Sequence, residues 1–320
     1  MKKSTKIMLI TSVSLIAGGV ILVLVCMLFG GRRSLVNMME QDGLVYDMPG
    51  GNVVFSISPS GIVFSGKEEG MDEYREITGN DGTSGKEKVA DAAGVTVLDL
   101  SLAAGTYEIK KSPDSYIYIE EDGVKLYVKE NGEKLSIRTK DETGLHSFGL
   151  FYTTRAAGSA KLYLPEKTFD RIRLEIGAGQ LTGSVLSADR IDVSVGAGEL
   201  VMEELTGREI EVECGAGEVT IDTLCGDDVD LEIGMGQFRS GGEIKNKLTA
   251  DVGMGELEMV LSGGEEDFNV EAECGAGNII IGNRSFGGVA GSQKIERGAQ
   301  KDIEVDCGMG SASIRFEKEV

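Results

Sequence analysis

The sequence holds a single histidine, His146, no tryptophan, and only four prolines in 320 residues. One histidine excludes most His-based metal sites and imidazole acid–base chemistry. Basic charge is scarce as well. Lys and Arg total 32 against 53 Asp and Glu, for a formal net charge of −21. Five of those cations, Lys2, Lys3, Lys6, Arg32 and Arg33, fall in residues 1–33, which leaves −26 on residues 34–320. A body that acidic repels phosphate backbones, so nucleic acid is not expected as a partner. The five cysteines show neither metal-ligand spacing nor a disulfide framework. Acids are plentiful, but none pairs with Arg or Lys in a way that stands out, so no enzyme, metal or cofactor is expected.

One long apolar run is present. Ile7 to Gly31 is interrupted only by Thr11, Ser12, Ser14 and glycines. About 25 residues at about 1.5 Å each exceed the roughly 30 Å of a bilayer core. The alternative is a cleaved signal peptide, but no A-x-A-like site follows. Cys26 follows Val23, Leu24 and Val25, without the small residue that lipid attachment wants. Residues 1–33 are therefore expected to be a cytoplasmic tip and a single transmembrane helix. Three lysines and the amino terminus precede the span against two arginines after it, which places the acidic body outside the cell membrane.

Residues 34–93 carry two short apolar runs, Val53–Ile57 and Ile62–Phe64, turned by Ser58-Pro59-Ser60-Gly61. Beyond Gly66 the chain becomes acidic and glycine-rich, and 34–93 is expected to be a solvated stalk.

The abundant residue is glycine, 46 in all, and much of it is periodic. The triplets are Gly177-Ala178-Gly179, Gly196-Ala197-Gly198, Gly215-Ala216-Gly217, Gly234-Met235-Gly236, Gly253-Met254-Gly255, Gly275-Ala276-Gly277 and Gly308-Met309-Gly310. Their first glycines step by 19, 19, 19, 19, 22 and 33 residues. Apolar residues alternate on both sides, as in Ile210, Val212 and Cys214 before a triplet and Val219 and Ile221 after it. Period two marks strands with one buried face, and a constant period of 19 marks stacked rungs. The expected fold is all-β, a parallel β-solenoid with its head at 94–320. A Greek-key sandwich would give no reason for a constant period with identical corners.

The triplets are expected to be corners, their glycines supplying unusual backbone angles or close approach. Their middle residues are expected to continue the inward phase. A further corner is expected near Leu186, Leu205 and Leu224. An early divergent copy runs from Leu98 through Ala103-Ala104-Gly105 to Ile109. Hairpins are expected at Asp122-Gly123 and Asn131-Gly132. Segment 94–170 then reads as irregular β structure and 171–320 as regular rungs.

Gly177-Ala178-Gly179 imitates the start of a dinucleotide fingerprint, but that motif precedes a helix and occurs once. Cys214, Cys274 and Cys307 occupy the last inward position before a triplet and read as small buried hydrophobes; Cys274 and Cys307 sit on consecutive copies and are candidates to pair. Gln180, Glu199, Glu218, Gln237, Glu256, Asn278 and Ser311 follow the triplets as an outward polar ladder, either solvated or suited to calcium. The glycine-rich insertion at 282–301 carries Arg284, Lys294, Arg297 and Lys301 against Glu296 alone. Long insertions in solenoids mark binding sides, so this loop is a candidate contact for an anionic envelope polymer. The alternative is that its cations neutralise neighbouring rungs.

The chain resembles the bacterial putative-adhesin β-strand-repeat family, a domain of unknown function. The resemblance rests on the Leu98–Ile109 unit, on Leu162-Tyr163-Leu164-Pro165, on Ile172 to Gly179, and on the closing Cys307-Gly308-Met309-Gly310-Ser311. The anchor with an external head is similar to membrane proteins of that family linked to envelope-stress operons. The resemblance implies no catalytic residues. The expected function is a surface interaction module, binding an anionic envelope polymer or another membrane protein. A structural or regulatory scaffold is the second reading, and a glycan-active enzyme the third.

Overall fold

The computed structural model describes residues 44–47, 53–58, 61–66, 73–77, 85–139, 158–286 and 291–317. The expected membrane span and His146 lie outside the described residues. Among the described residues no helix is long and apolar enough to cross a membrane.

The chain divides into two compact units. The first contributes an antiparallel sheet of β1 (Leu44–Asp47), β2 (Val53–Ser58) and β3 (Gly61–Gly66). β2 and β3 pair antiparallel with Ser58 opposite Gly61, the two ends of the expected turn, while Pro59 and Ser60 lie outside the described residues.

The second unit is all-β. Its first strands are β4 (Arg75–Ile77), β5 (Glu87–Asp91), β6 (Val97–Leu102), β7 (Thr106–Lys111), β8 (Tyr116–Asp122), β9 (Leu126–Asn131), β10 (Lys134–Thr139) and β11 (Ser159–Leu164). Then come β12 (Thr168–Ile176) and four 16-residue strands: β13 (Gln180–Val195), β14 (Glu199–Cys214), β15 (Glu218–Ile233) and β16 (Gln237–Val252). The remainder are β17 (Glu256–Ser262), β18 (Phe268–Cys274), β19 (Asn278–Ile281), β20 (Arg284–Ser285), β21 (Gly291–Ile295), β22 (Lys301–Cys307) and β23 (Ser311–Glu317).

The long strands stack in parallel, in the register the repeat dictates. Gln180 pairs with Glu199, Glu199 with Glu218, and Glu218 with Gln237. Each strand bends twice. Between β13 and β14 the pairing skips Ser184 and again Asp189, and the inward phase shifts at both points. The single corner expected near Leu186 is therefore two corners with Leu186 between them. With the triplet, each rung has three corners and three faces. Leu181, Leu186, Ala188, Ile191, Val193 and Val195 fill one rung, all buried. Such side chains stabilise by roughly 1.5–3 kcal/mol each where fully buried. Met202 fills the space beside Gly183, where a Cβ would come within 2.5 Å of its sulfur.

Spatial order departs from chain order at both ends. β6 lies between β10 and β12, and β7 between β11 and β13. At the other end β22 lies between β16 and β18, and β23 between β17 and β19. The last strands of the chain thus form the penultimate rung. Cys274 and Cys307 are direct partners in adjacent strands, both buried and both free thiols.

Antiparallel strands close the stack, with β4, β5 and β9 at one end and β20 and β21 at the other. Short antiparallel edges blunt the template that an open parallel edge would offer. Two of these strands, β4 and β5, come from the segment expected as stalk; Ile77 and Ala90 are apolar enough to join the core. Asn131-Gly132 makes the expected hairpin, with Gly132 at φ 62°. Asp122-Gly123 does not, because β8 pairs with β5 and β11 while β9 pairs with β4 and β10. Gly123 turns the chain onto the next face instead.

Candidate binding groove along the glycine corners

Backbone hydrogen bonds hold each triplet against its neighbour. The middle amide donates to the first-glycine carbonyl of the adjoining rung: Ala197 to Gly177 at 2.8 Å, Ala216 to Gly196 at 2.7 Å, Met235 to Gly215 at 2.7 Å. The same bond joins Met254 to Gly234, Met309 to Gly253 and Ala276 to Gly308.

This geometry explains the glycines. A Cβ on Gly198 would meet the Gly179 carbonyl oxygen at 2.3 Å, and one on Gly217 would meet that of Gly198 at 2.2 Å. At the first glycines the gap is about as unforgiving: 2.9 Å from Gly215 to the Gly196 oxygen. None of these triplet glycines has a positive φ, so the corner demands close approach and not a left-handed backbone. The same holds at Gly179, Gly196, Gly234, Gly236, Gly253, Gly255, Gly275, Gly277, Gly308 and Gly310. Gly177 is looser, its nearest neighbour being Ala103 Cα at 3.6 Å.

The middle residues point outward, against the expectation of an inward phase. Ala178, Ala197, Ala216 and Ala276 are exposed, and Met235, Met254 and Met309 are 63%, 50% and 66% exposed. The third glycine takes the inward turn, and Gly179 and Gly198 are buried. Each triplet therefore shows one small or apolar side chain between stretches of bare backbone.

Stacked, the corners form a groove of about 630 Å³ running from Ala104 across Ala178, Ala197 and Ala216 to Met235. Its rim is the outward ladder expected after the triplets. Gln180 Nε2 donates to Glu199 Oε2 at 3.0 Å. Arg239 donates to Glu218 at 2.9 Å and to Gln237 at 2.9 Å, and lies 3.4 Å from Glu258. The rim is thus tied in two stretches, Gln180 to Glu199 and, through Arg239, Glu218 to Gln237 and Glu258, and stays acidic at Glu199.

The opposite side of the triplets is more acidic still. Glu213, Glu232, Asp251, Asp306 and Glu273 occupy one column on successive rungs. Partial desolvation against the sheet, reinforced by Glu213, Asp230, Asp251 and Glu211, raises the Glu232 carboxyl above its ordinary range. Desolvation also raises Asp230, with Glu304 adding to it and Lys247 opposing it. Both stacked and buried, Cys307 has its thiol pushed up, by burial first and then by Cys274.

The cations of the insertion gather at the end of the stack, each with a partner. Arg284 and Arg297 both reach Glu265, and Arg297 also donates to the Phe268 carbonyl at 2.9 Å. Lys294 lies 3.1 Å from Glu296 and 3.7 Å from Glu271, and Lys301 sits over the Phe268 ring at 5.4 Å. This is the neutralising arrangement weighed against a contact loop.

A family model described as Toastrack DUF4097 matches residues 95–295, more than half of the chain. The chain belongs to the Toastrack DUF4097 family. The Toastrack match stops before β22 and β23, which the fold nevertheless wedges between rungs that lie inside it.

Solved structures of the same kind resemble it loosely. A "putative cell adhesion protein" of Clostridium sporogenes aligns at 14% identity and a TM-score of 0.27, covering 77% of this chain and 100% of its own. A "putative adhesin" of Bacteroides fragilis aligns at 12% and 0.35, covering 75% and 97%. A "putative lipid binding protein" of Parabacteroides distasonis aligns at 15% and 0.41, covering 73% and 97%. At these scores the likenesses carry no argument about function. No curated protein matches the chain.

Strict alternation alone places the middle residues in the core, which hides the groove from the sequence. Their pattern did hold a signal: Ala and Met share that position, which a tightly packed interior column would not readily accept.

Proposed function

We propose that this Toastrack chain is a membrane-anchored, extracytoplasmic interaction module of adhesin-like type, and that it meets its partner along the corner groove. The observation that carries this reading is the contrast between the corner column and its surroundings. Small or apolar side chains protrude there between bare backbone, flanked on both sides by charged ladders. At about 4.8 Å per rung, the eight corners from Ala104 to Ala276 extend roughly 34 Å. That length suits an extended segment of another membrane or surface protein. Glu199 on the rim and −26 on residues 34–320 disfavour an anionic polymer in the groove. The engaged cations of 282–301 favour the groove over that loop as the contact. The capped ends of the stack oppose the scaffold reading, which needs rung edges free to pair end to end.

The test replaces Ala197 and Ala216 with Trp, filling the groove from exposed positions. Full-length protein is recovered from its native membrane after mild cross-linking, and co-purifying surface proteins are compared. The reading expects a partner with the wild type that is lost with the double variant at unchanged melting temperature. Equal recovery from both would remove the groove as the contact surface.

A further inference from the structure

Met235, Met254 and Met309 are three of the five large hydrophobic side chains exposed among the described residues. Chain order separates the last two by the Ala276 copy, but space does not. Ile233 pairs with Val252 and Val252 with Cys307, so the three methionines stand on successive rungs. Their amides donate to Gly215, Gly234 and Gly253 at 2.7, 2.7 and 2.8 Å, which fixes the three Cα atoms in one line. Adjacent members of that line start about 4.8 Å apart.

We propose that this ladder is a thioether site for a soft monovalent cation, Cu(I) or Ag(I). Methionine sulfur is a soft ligand that selects Cu(I) over hard cations. Unlike a thiol, it has no proton to lose before it binds. The unbranched side chain has three rotatable bonds, so sulfurs from three neighbouring rungs converge on one ion without moving the backbone. Charge favours the same ion. Glu232, Asp251 and Asp306 stand three positions before the three methionines, and Glu256 lies on the rim beyond them. Their field concentrates cations at the ladder, while thioether softness chooses among them. The five alanine corners, Ala104, Ala178, Ala197, Ala216 and Ala276, offer no ligand atom.

The experiment titrates the full-length protein with Ag(I), and with Cu(I) under anaerobic conditions against a competing chelator, after alkylation of accessible thiols. The comparison is a triple variant, M235L/M254L/M309L, which keeps the apolar volume. A second variant, M309L alone, tests the adjacency that only the fold creates. The site requires one equivalent bound by the wild type and absent from the triple variant, with equal melting temperatures of the apo proteins. M309L must weaken binding by at least roughly tenfold, the lower range seen when even a ligand's supporting group is removed. Equal stoichiometry in wild type and triple variant would assign the metal to other sulfurs and overturn the proposal. Wild-type affinity in M309L would overturn the three-rung geometry. Excess Ca(II) must weaken Ag(I) binding no more than Na(I) at the same ionic strength does and must leave the stoichiometry at one, since full displacement would mean that the carboxylates hold the ion.

Discussion

Val252 and Cys307 are direct partners in neighbouring parallel strands, β16 and β22, although the chain builds β17 to β21 between them. β22 and β23 are therefore a structural wedge, each paired on both sides. Deleting residues 301–320 would leave Val252 paired only with Ile233 and Cys274 only with Gly291, each open on the side that Cys307 fills. We expect the deletion to release β18 and β19 along with the lost strands. Amide hydrogen exchange checks this: protection of residues 268–281 should collapse while residues 180–233 stay protected. Retained protection over 268–281 would show that those strands stack directly on β16.

The corners predict a sharp asymmetry between adjacent residues. Gly217→Ala places a Cβ 2.2 Å from the Gly198 carbonyl oxygen, and backbone cannot yield there without breaking the ladder. The cost should fall near or above the roughly 1–3 kcal/mol typical of overpacking. Ala216→Ser, one position earlier and exposed, should be close to neutral. Denaturant melts of the two variants decide the matter.

The stacked acids give an inverted pH dependence. Asp230 and Glu232 have folded-state pKa values raised above the ordinary 3.8 and 4.5. Protonation is then favoured in the folded state, so their contribution is present at low pH and is lost as pH rises through the folded values. Glu213, Glu211 and Asp251 face Glu232, while Lys247 and Glu304 face Asp230. This pair should raise the melting temperature as pH falls from neutrality toward the carboxylate range, against the opposite pull of Glu73 and Asp114, whose carboxyls Lys129 and the Tyr116 amide hold below their ordinary range. Glu232→Gln should raise the melting temperature at neutral pH and flatten that rise.

The insertion separates a structural cation from superficial ones. Arg297 is mostly buried, bound to Glu265 and to the Phe268 carbonyl, and its own amide donates to Asn269 Oδ1 at 2.9 Å. Arg297→Ala takes the side-chain donor from the carbonyl of buried Phe268 and leaves half-buried Glu265 with Arg284 alone, and should cost about 1–3 kcal/mol. Lys294→Gln removes only exposed pairs with Glu271 and Glu296, and should change stability by less than about 1 kcal/mol. Equal effects in thermal melts would contradict this division.

The 19-residue period was enough to read strand direction, register and the buried column Ile191, Ile210, Val229, because strict alternation leaves one inward phase. What the sequence hid was nonlocal. Nothing in the string Cys274 to Cys307 says that another rung, built later, separates Val252 from Cys274. Corner phase is hidden for a physical reason: alternation holds within a strand, while the triplet turns the backbone so that Gly179 and not Ala178 faces inward. Exposure of Met235, Met254 and Met309 followed from that turn. The charges of Arg284 and Arg297 were legible, but their shared carboxylate, Glu265, lies on an earlier segment brought near only by folding.

The claim that the corner column is the contact surface is tested most directly by proximity. A photo-activated cross-linking residue is placed at Ala197 in one full-length variant and at Glu211, on another face of the rung, in a second. Both are irradiated on intact cells. A discrete cross-linked partner from position 197 and none from position 211 is the predicted result. Cross-links from 211 alone would move the contact to the acidic face and contradict the account.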